Sequence, residues 1–155
     1  MPAAEEGQKA PAFSLKDQHG RTHKLSEYAG RPLVLYFYPK DDTPGCTKEA
    51  CAFRDNVPKL EKLKAAVLGV SILDTASKAK FAAKHALNFP LLADEDHAVA
   101  EKYGVWKQRS LYGKTFMGIA RTTLLIGPDG RVARRWDNVK VDDHADEVLA
   151  ALKQL

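Results

Sequence analysis

The sequence predicts an α/β protein: a mixed central sheet flanked by helices, with a β-hairpin ahead of it. Three observations carry this. Short apolar, β-branched and aromatic runs at 33–38, 66–72 and 121–126 have the length and composition of buried strands. Segments with helical spacing of apolar residues lie between them. The last of these strands is followed by a Pro128–Asp129–Gly130 turn and a second strand, 132–136. Alternating strands and helices therefore end in an antiparallel pair and a closing helix, which makes the sheet mixed. Residues 1–155 read as one domain, because no repeat, low-complexity tract or linker divides them.

Residues 1–12 read as a loose lead-in with two prolines. Phe13–Leu15 and Thr22–Leu25 flank DQHGR, where Gly20 suits a turn, so this is the predicted hairpin. Ser26 is placed to cap a helical turn that Gly30 ends. Leu33–Tyr38 is the central strand, and Pro39 stops it. Asp41, Asp42, Pro44 and Gly45 make a turn, with Thr43 at a helix N-cap and Pro44 at the first helical position. The helix continues through Phe53, Val57, Leu60 and Leu63, with a kink or a break expected near Asn56 because Pro58 interrupts the pattern. After the strand 66–72, Asp74 or Thr75 caps a helix ending near His85, and Phe89–Leu92 is a short strand. Asp94 begins another helix, which Gly104 ends. Residues 105–120 are polar, aromatic and glycine-dotted and read as an irregular loop. Asp142 or Asp143 caps the final helix, whose stripe is Ala145, Val148, Leu149 and Leu152.

Composition narrows the function. Hydrophobic content of 45% and charged content of 28% are those of an ordinary soluble globular chain. No apolar run approaches the ~20 residues of a membrane span, so no membrane partner is expected. The N-terminus lacks a basic stretch followed by an apolar one, so it does not read as a secretory signal, and the cytoplasm is the expected compartment. The net charge of +4 comes from scattered lysines and arginines without a dense basic tract, so nucleic acid is not an expected partner. There is neither a phosphate-cradling loop nor a dinucleotide fingerprint.

The chemistry concentrates in the two cysteines, Cys46 and Cys51. Two cysteines do not make a disulfide scaffold, and a close pair in a reducing compartment is more often catalytic or metal-binding than structural. Cys46 falls in the first turn of the predicted helix. Unpaired backbone N–H groups and the positive end of the helix dipole converge there and favour a thiolate, the nucleophilic form. Cys51 follows by five residues. In an ideal helix that is roughly 7.5 Å of rise and about 140° of rotation, hence roughly 8–9 Å between Cα atoms. A disulfide wants about 4.4–6.8 Å, so the pair bonds only if the helix unwinds. A zinc site would need Cys46 and Cys51 joined by His19, His23, His85, His97 or His144. The cysteine spacing is not that of a zinc pair, and no histidine sits at ligand spacing beside it, so no metal is expected. Asp94, Glu95 and Asp96 read as helix capping rather than a cation site.

The segment PKDDTPGCTKEACAFRD resembles the active-site segment of the peroxiredoxins, most of all the bacterioferritin-comigratory or peroxiredoxin Q subfamily. The family's proline, threonine and cysteine fall on Pro39, Thr43 and Cys46, and the subfamily's second cysteine falls on Cys51. The family's arginine, at the opening of a late strand, matches Arg121 in GIARTTLLIGPDG, and Glu49 also matches the pattern. The resemblance extends from FSLKDQHG to the final helix. It implies a thioredoxin-like fold with an N-terminal extension. It also implies a thiol peroxidase for hydrogen peroxide and organic hydroperoxides that works without metal, haem or flavin. Cys46 would attack the peroxide and become a sulfenic acid, and Cys51 would resolve it as an intramolecular disulfide. Arg121 would activate the thiol and orient the peroxide, and Pro39 would shield the thiolate from water. Glu49 would orient Arg121 or its neighbours. Thr43 has two candidate roles, capping the helix and hydrogen-bonding the peroxide or thiolate. Lys48 and Arg54 lie closer in sequence to Cys46, but nothing aims them at it. Thioredoxin is the implied reductant, with glutaredoxin as the alternative, and the subfamily implies a monomer. Two rivals remain: a thioredoxin-type thiol–disulfide oxidoreductase, disfavoured by four residues between the cysteines instead of two, and a non-enzymatic basic binding module.

Overall fold

Leu33–Phe37 is the strand on which the two layers of the molecule meet. All five residues are buried, and the pleat divides them. Val34 and Tyr36 enter one apolar cluster, and Leu33, Leu35 and Phe37 enter the other. A strand covered on both faces needs no polar alternation, so LVLYF is continuously apolar.

The computed structural model describes residues 4–155; the first three residues of the lead-in lie outside the described residues. In chain order the elements are β1 (Ser14–Lys16), β2 (Thr22–Lys24), a 3-10 turn (Leu25–Tyr28), β3 (Leu33–Phe37), α1 (Pro44–Lys62), β4 (Ala66–Ser71), α2 (Thr75–His85), β5 (Leu91–Ala93), α3 (Ala98–Lys102), β6 (Trp106–Leu111), β7 (Lys114–Ile119), β8 (Thr122–Ile126), β9 (Val132–Trp136) and α4 (His144–Leu152). One sheet has the order β2-β1-β5-β4-β3-β8-β9, and β6-β7 forms a second. β3, β4 and β5 are mutually parallel neighbours, while β1-β2, β1-β5, β3-β8 and β8-β9 are antiparallel. The sheet is therefore mixed, as the sequence predicts. The N-terminal hairpin is welded to it, with Lys16 opposite Ala93. Phe53 and Leu60 of α1, Phe81 of α2 and Val148, Leu149 and Leu152 of α4 cover the face of Tyr36. Val99 and Ala100 of α3 lie in the opposite cluster.

Several local expectations are corrected. Pro58 does not break α1, which runs unbroken to Lys62. Proline orphans the carbonyl four residues back, and here that carbonyl, of Arg54, accepts from Asn88 Nδ2 at 3.4 Å. Residues 105–120 are not an irregular loop, since β6 and β7 pair in register from Trp106↔Ile119 to Leu111↔Lys114. Their turn is Tyr112–Gly113, with φ of 52° and 76°. A two-residue hairpin turn needs positive φ at both positions, and tyrosine at the first hides the signal. The strand expected at 89–92 is Leu91–Ala93. α3 starts at Ala98 rather than Asp94. The carboxylate of Asp94 instead accepts from the N–H groups of Val99 (3.2 Å) and Ala100 (2.7 Å), and that of Asp96 from Ala98 (3.2 Å). Neither Asp142 nor Asp143 caps α4 through its side chain: Asp143 is the N-cap by position, with φ 60°, and Asp142 is paired with Lys48. Ser26 lies inside the 3-10 turn, whose entry is closed by Glu27 accepting from the Lys24 N–H at 2.7 Å. Asp74 does cap α2, accepting from the Ser77 N–H at 2.8 Å.

Candidate active site

The site forms where β3 hands over to α1. Pro44 is the first residue of α1, so Cys46 stands in the first turn, as predicted, and its side chain is buried. The first intrahelical bond is Thr47 N–H to Thr43 O, 2.8 Å. The backbone N–H groups ahead of it have no helical acceptor and make this end of the helix electropositive. The register of β3 against β8 brings the second component. Phe37 pairs with Thr122, so Arg121, one residue earlier, emerges at the end of β3 from which the Cys46 loop departs. Arg121 Nη2 donates to Cys46 Sγ at 3.3 Å, and Nη1 donates to Glu49 Oε1 at 2.8 Å. Glu49 lies one helical turn beyond Cys46, so both face the same guanidinium.

Burial sets the electrostatics. Glu49 is buried, and desolvation pushes its carboxyl up to about 7, although Arg121 pulls the other way. Its Oε2 is buried and has no hydrogen-bond partner among the described residues. The Tyr36 hydroxyl is also buried without a partner. Burial, with negative charge at Glu49 and Cys46, holds its proton on well above the usual tyrosine range. Gly45 provides the clearance for the guanidinium: a Cβ there would stand 3.1 Å from Arg121 Nη2. The result is a sulfur with a permanent cation at hydrogen-bond distance, and that cation is braced by a buried acid. Such an arrangement suits attack by sulfur and the binding of an oxygen that gains negative charge.

Residues 6–135 match the AhpC/TSA family. Peroxiredoxin Bcp of Bacillus subtilis (strain 168) is 50% identical over 149 residues, 96% of this chain and 95% of its own. The chain belongs to this peroxiredoxin family. Peroxiredoxin Bcp of Escherichia coli (strain K12) is 46% identical over 148 residues, again 96% and 95% of the two chains. Among solved structures, peroxiredoxin Q of Xanthomonas campestris aligns with a TM-score of 0.87 at 44% identity, covering 92% of this chain and 90% of that one. PrxQ of Xylella fastidiosa aligns with a TM-score of 0.92 at 38% identity, covering 97% and 96%. The Xanthomonas bacterioferritin comigratory protein is described as having alkyl peroxide reduction activity. The fold is thus the thioredoxin-like fold of the peroxiredoxins, and this peroxiredoxin is a thiol-dependent peroxidase.

The other residues singled out from the sequence lie elsewhere along the same loop and helix. Cys51 is half-buried further along the unbroken α1, and both cysteines are free. Thr43 is the N-cap by position, but its hydroxyl donates to Lys40 O at 2.9 Å, so the side-chain cap read from the sequence is not formed. Pro39 is half-buried in the same loop. Lys48 pairs with Asp142, and Arg54 donates to Asp55 and to His85 O, so both cations turn elsewhere. Among the described residues, no group of three or more His, Cys, Asp or Glu side chains is arranged to hold a metal ion. No helix among them is long and apolar enough to cross a membrane. Sequence reading missed the role of Gly45 and a buried polar cluster of Tyr38, Asp41, Ser71, Ser77 and Lys78. A signal for the cluster existed: Lys78 shares the buried face of α2 with Phe81 and Ala82 at helical spacing.

Proposed function

We propose that Cys46 is the peroxidatic nucleophile of this thiol peroxidase and Cys51 its resolving thiol. The Cys46 thiolate attacks one peroxide oxygen and the O–O bond breaks. Sulfur is oxidised to sulfenic acid, and the other oxygen leaves as alkoxide or hydroxide and takes up a proton. The Cys51 thiol then condenses with the sulfenic acid, forming the S–S bond and releasing water. A dithiol donor reduces the disulfide by exchange and is itself oxidised. The observation that carries the reading is Arg121, with one nitrogen 3.3 Å from Cys46 Sγ and the other on Glu49. Arg121 orients the peroxide and stabilises the leaving oxygen, and Glu49 holds Arg121 in place. The family pattern adds Thr43 as the hydrogen-bonding partner of the peroxide and Pro39 as the shield against water. Hydrogen peroxide and organic hydroperoxides are the substrates, in line with alkyl peroxide reduction by the Xanthomonas relative. Thioredoxin is the donor and glutaredoxin the alternative. The chain acts as one peroxiredoxin domain, residues 1–155, and as a monomer. Its free cysteine pair suits a reducing compartment such as the cytoplasm.

Peroxide consumption by the wild type, Cys46→Ser and Cys51→Ser tests this, with a thioredoxin system and then with dithiothreitol. Cys46→Ser is inactive with both reductants. Cys51→Ser loses turnover with thioredoxin and keeps some with dithiothreitol. Full activity in Cys46→Ser overturns the nucleophile assignment.

A further inference from the structure

Lys78 is fully buried in the first turn of α2. Its ammonium gives up its hydration there and also faces the positive end of a helix dipole. The positions that share its helical face, Phe81 and Ala82, are apolar. The compensation comes from the loop that precedes Cys46. Lys78 Nζ stands 3.3 and 3.5 Å from the two carboxylate oxygens of Asp41 and donates to Ser71 Oγ at 2.5 Å. Asp41 also accepts from the Tyr38 hydroxyl at 2.5 Å and from the Ser77 hydroxyl at 2.8 Å. Groups from the end of β3, from β4 and from α2 thus converge on one loop carboxylate. The next residue, Asp42, has a φ of 58° and is held to α2 by Lys84 (3.0 Å) and His85 (3.3 Å). Thr43 then ties back to Lys40 O, and α1 begins.

A buried ion pair is a poor route to stability, because apolar residues of similar volume are often as stable. What this one does is fix a loop. We infer that Lys78 is a positioning residue for the peroxide reaction: through Asp41 it pins the 39–43 loop, with Pro39 and Thr43, to β4 and α2. The inference rests on the peroxidase mechanism proposed above.

The test is the neutral pair Asp41→Asn/Lys78→Met, which nearly conserves volume, in a Cys51→Ser background. Two rates of Cys46 are compared: sulfenic acid formation by hydrogen peroxide, trapped with dimedone after rapid mixing, and alkylation by iodoacetamide. Alkylation needs a reachable thiolate but no positioned peroxide. The expected result is a loss of at least about tenfold in the peroxide rate with alkylation changed by less than about threefold. A peroxide rate above that limit, or both rates falling together as general loosening requires, overturns the inference. If the double variant does not fold, Tyr38→Phe decides, since it deletes one hydroxyl from Asp41 and little volume. There a selective loss of about threefold or more supports the inference and a smaller one overturns it. A parent enzyme that forms no sulfenic acid refutes the peroxidase mechanism and takes this inference with it.

Discussion

Glu49→Gln removes a pH dependence of stability that the wild type carries. Glu49 is buried, and its carboxyl is pushed from the ordinary 4.5 up to about 7. At about 1.36 kcal/mol per pH unit, that rise corresponds to roughly 3 kcal/mol between the neutral and charged forms. The sign follows from proton counting. Below about pH 4.5 the carboxyl is neutral in both folded and unfolded chains, and this contribution to stability is fully present. Between about 4.5 and 7 the folded chain holds a proton that the unfolded chain has released, so stability falls as pH rises. Above about 7 the loss is complete, and the full Glu49–Arg121 ion pair exists only there. Glutamine cannot titrate. The stability of the wild type relative to Glu49→Gln therefore falls by roughly 3 kcal/mol from pH 4.5 to 8. Urea unfolding of both chains across that range, under reducing conditions, measures it. A difference that stays constant to within about 1 kcal/mol would show that Arg121 offsets the desolvation and that Glu49 ionises like an exposed acid.

Arg121→Met leaves Cys46 without its cation and lowers the rate of sulfenic acid formation by roughly 100- to 1000-fold, the scale of losing one donor to a developing oxyanion; a loss under about tenfold removes Arg121 from the chemistry. Gly45→Ala favours α1 by up to ~1 kcal/mol in helix propensity, yet its Cβ would meet Arg121 Nη2 at 3.1 Å. The expected outcome is unchanged or raised thermal stability with a slower peroxide reaction, and equal rates would mean that the guanidinium moves aside freely. The proposed Cys46–Cys51 disulfide requires the start of α1 to unwind. Amide exchange in residues 43–55 therefore accelerates on oxidation while residues 33–37 of β3 keep their protection. An unchanged exchange pattern with the disulfide present would refute local unfolding.

What was legible in the sequence was local. Pro44 at a helix start, Cys46 in the first turn and Cys51 further along the same helix all follow from spacing, and the structure has all three. Errors came where a local group had a second partner to choose. The Thr43 hydroxyl turned to the Lys40 carbonyl instead of the helix N–H groups. Pro58 was harmless because Asn88, remote in sequence, took up the carbonyl it orphaned. The Tyr112–Gly113 turn bent through positive φ at a tyrosine, a conformation that single-residue preferences discount.

The decisive pairings were of another kind. Arg121 meets Cys46 across 75 residues of sequence, and Lys78 meets Asp41 across 37. No periodicity links such positions, and only the family resemblance pointed to Arg121. Topology does link them. With β3 and β8 antiparallel and Phe37 opposite Thr122, the residue before β8 must emerge beside the start of the Cys46 loop. With β3 and β4 parallel and Phe37 opposite Val70, β4 ends at the same edge, and α2 leaves from there carrying Lys78. Three chain segments thus deliver a cysteine, an arginine and a buried lysine to one end of the sheet. Slipping β8 by one residue would turn Thr123 and its neighbours to the opposite face and part the guanidinium from the sulfur. The apolar register of LVLYF against TTLLI is therefore a condition of the chemistry as well as of the core.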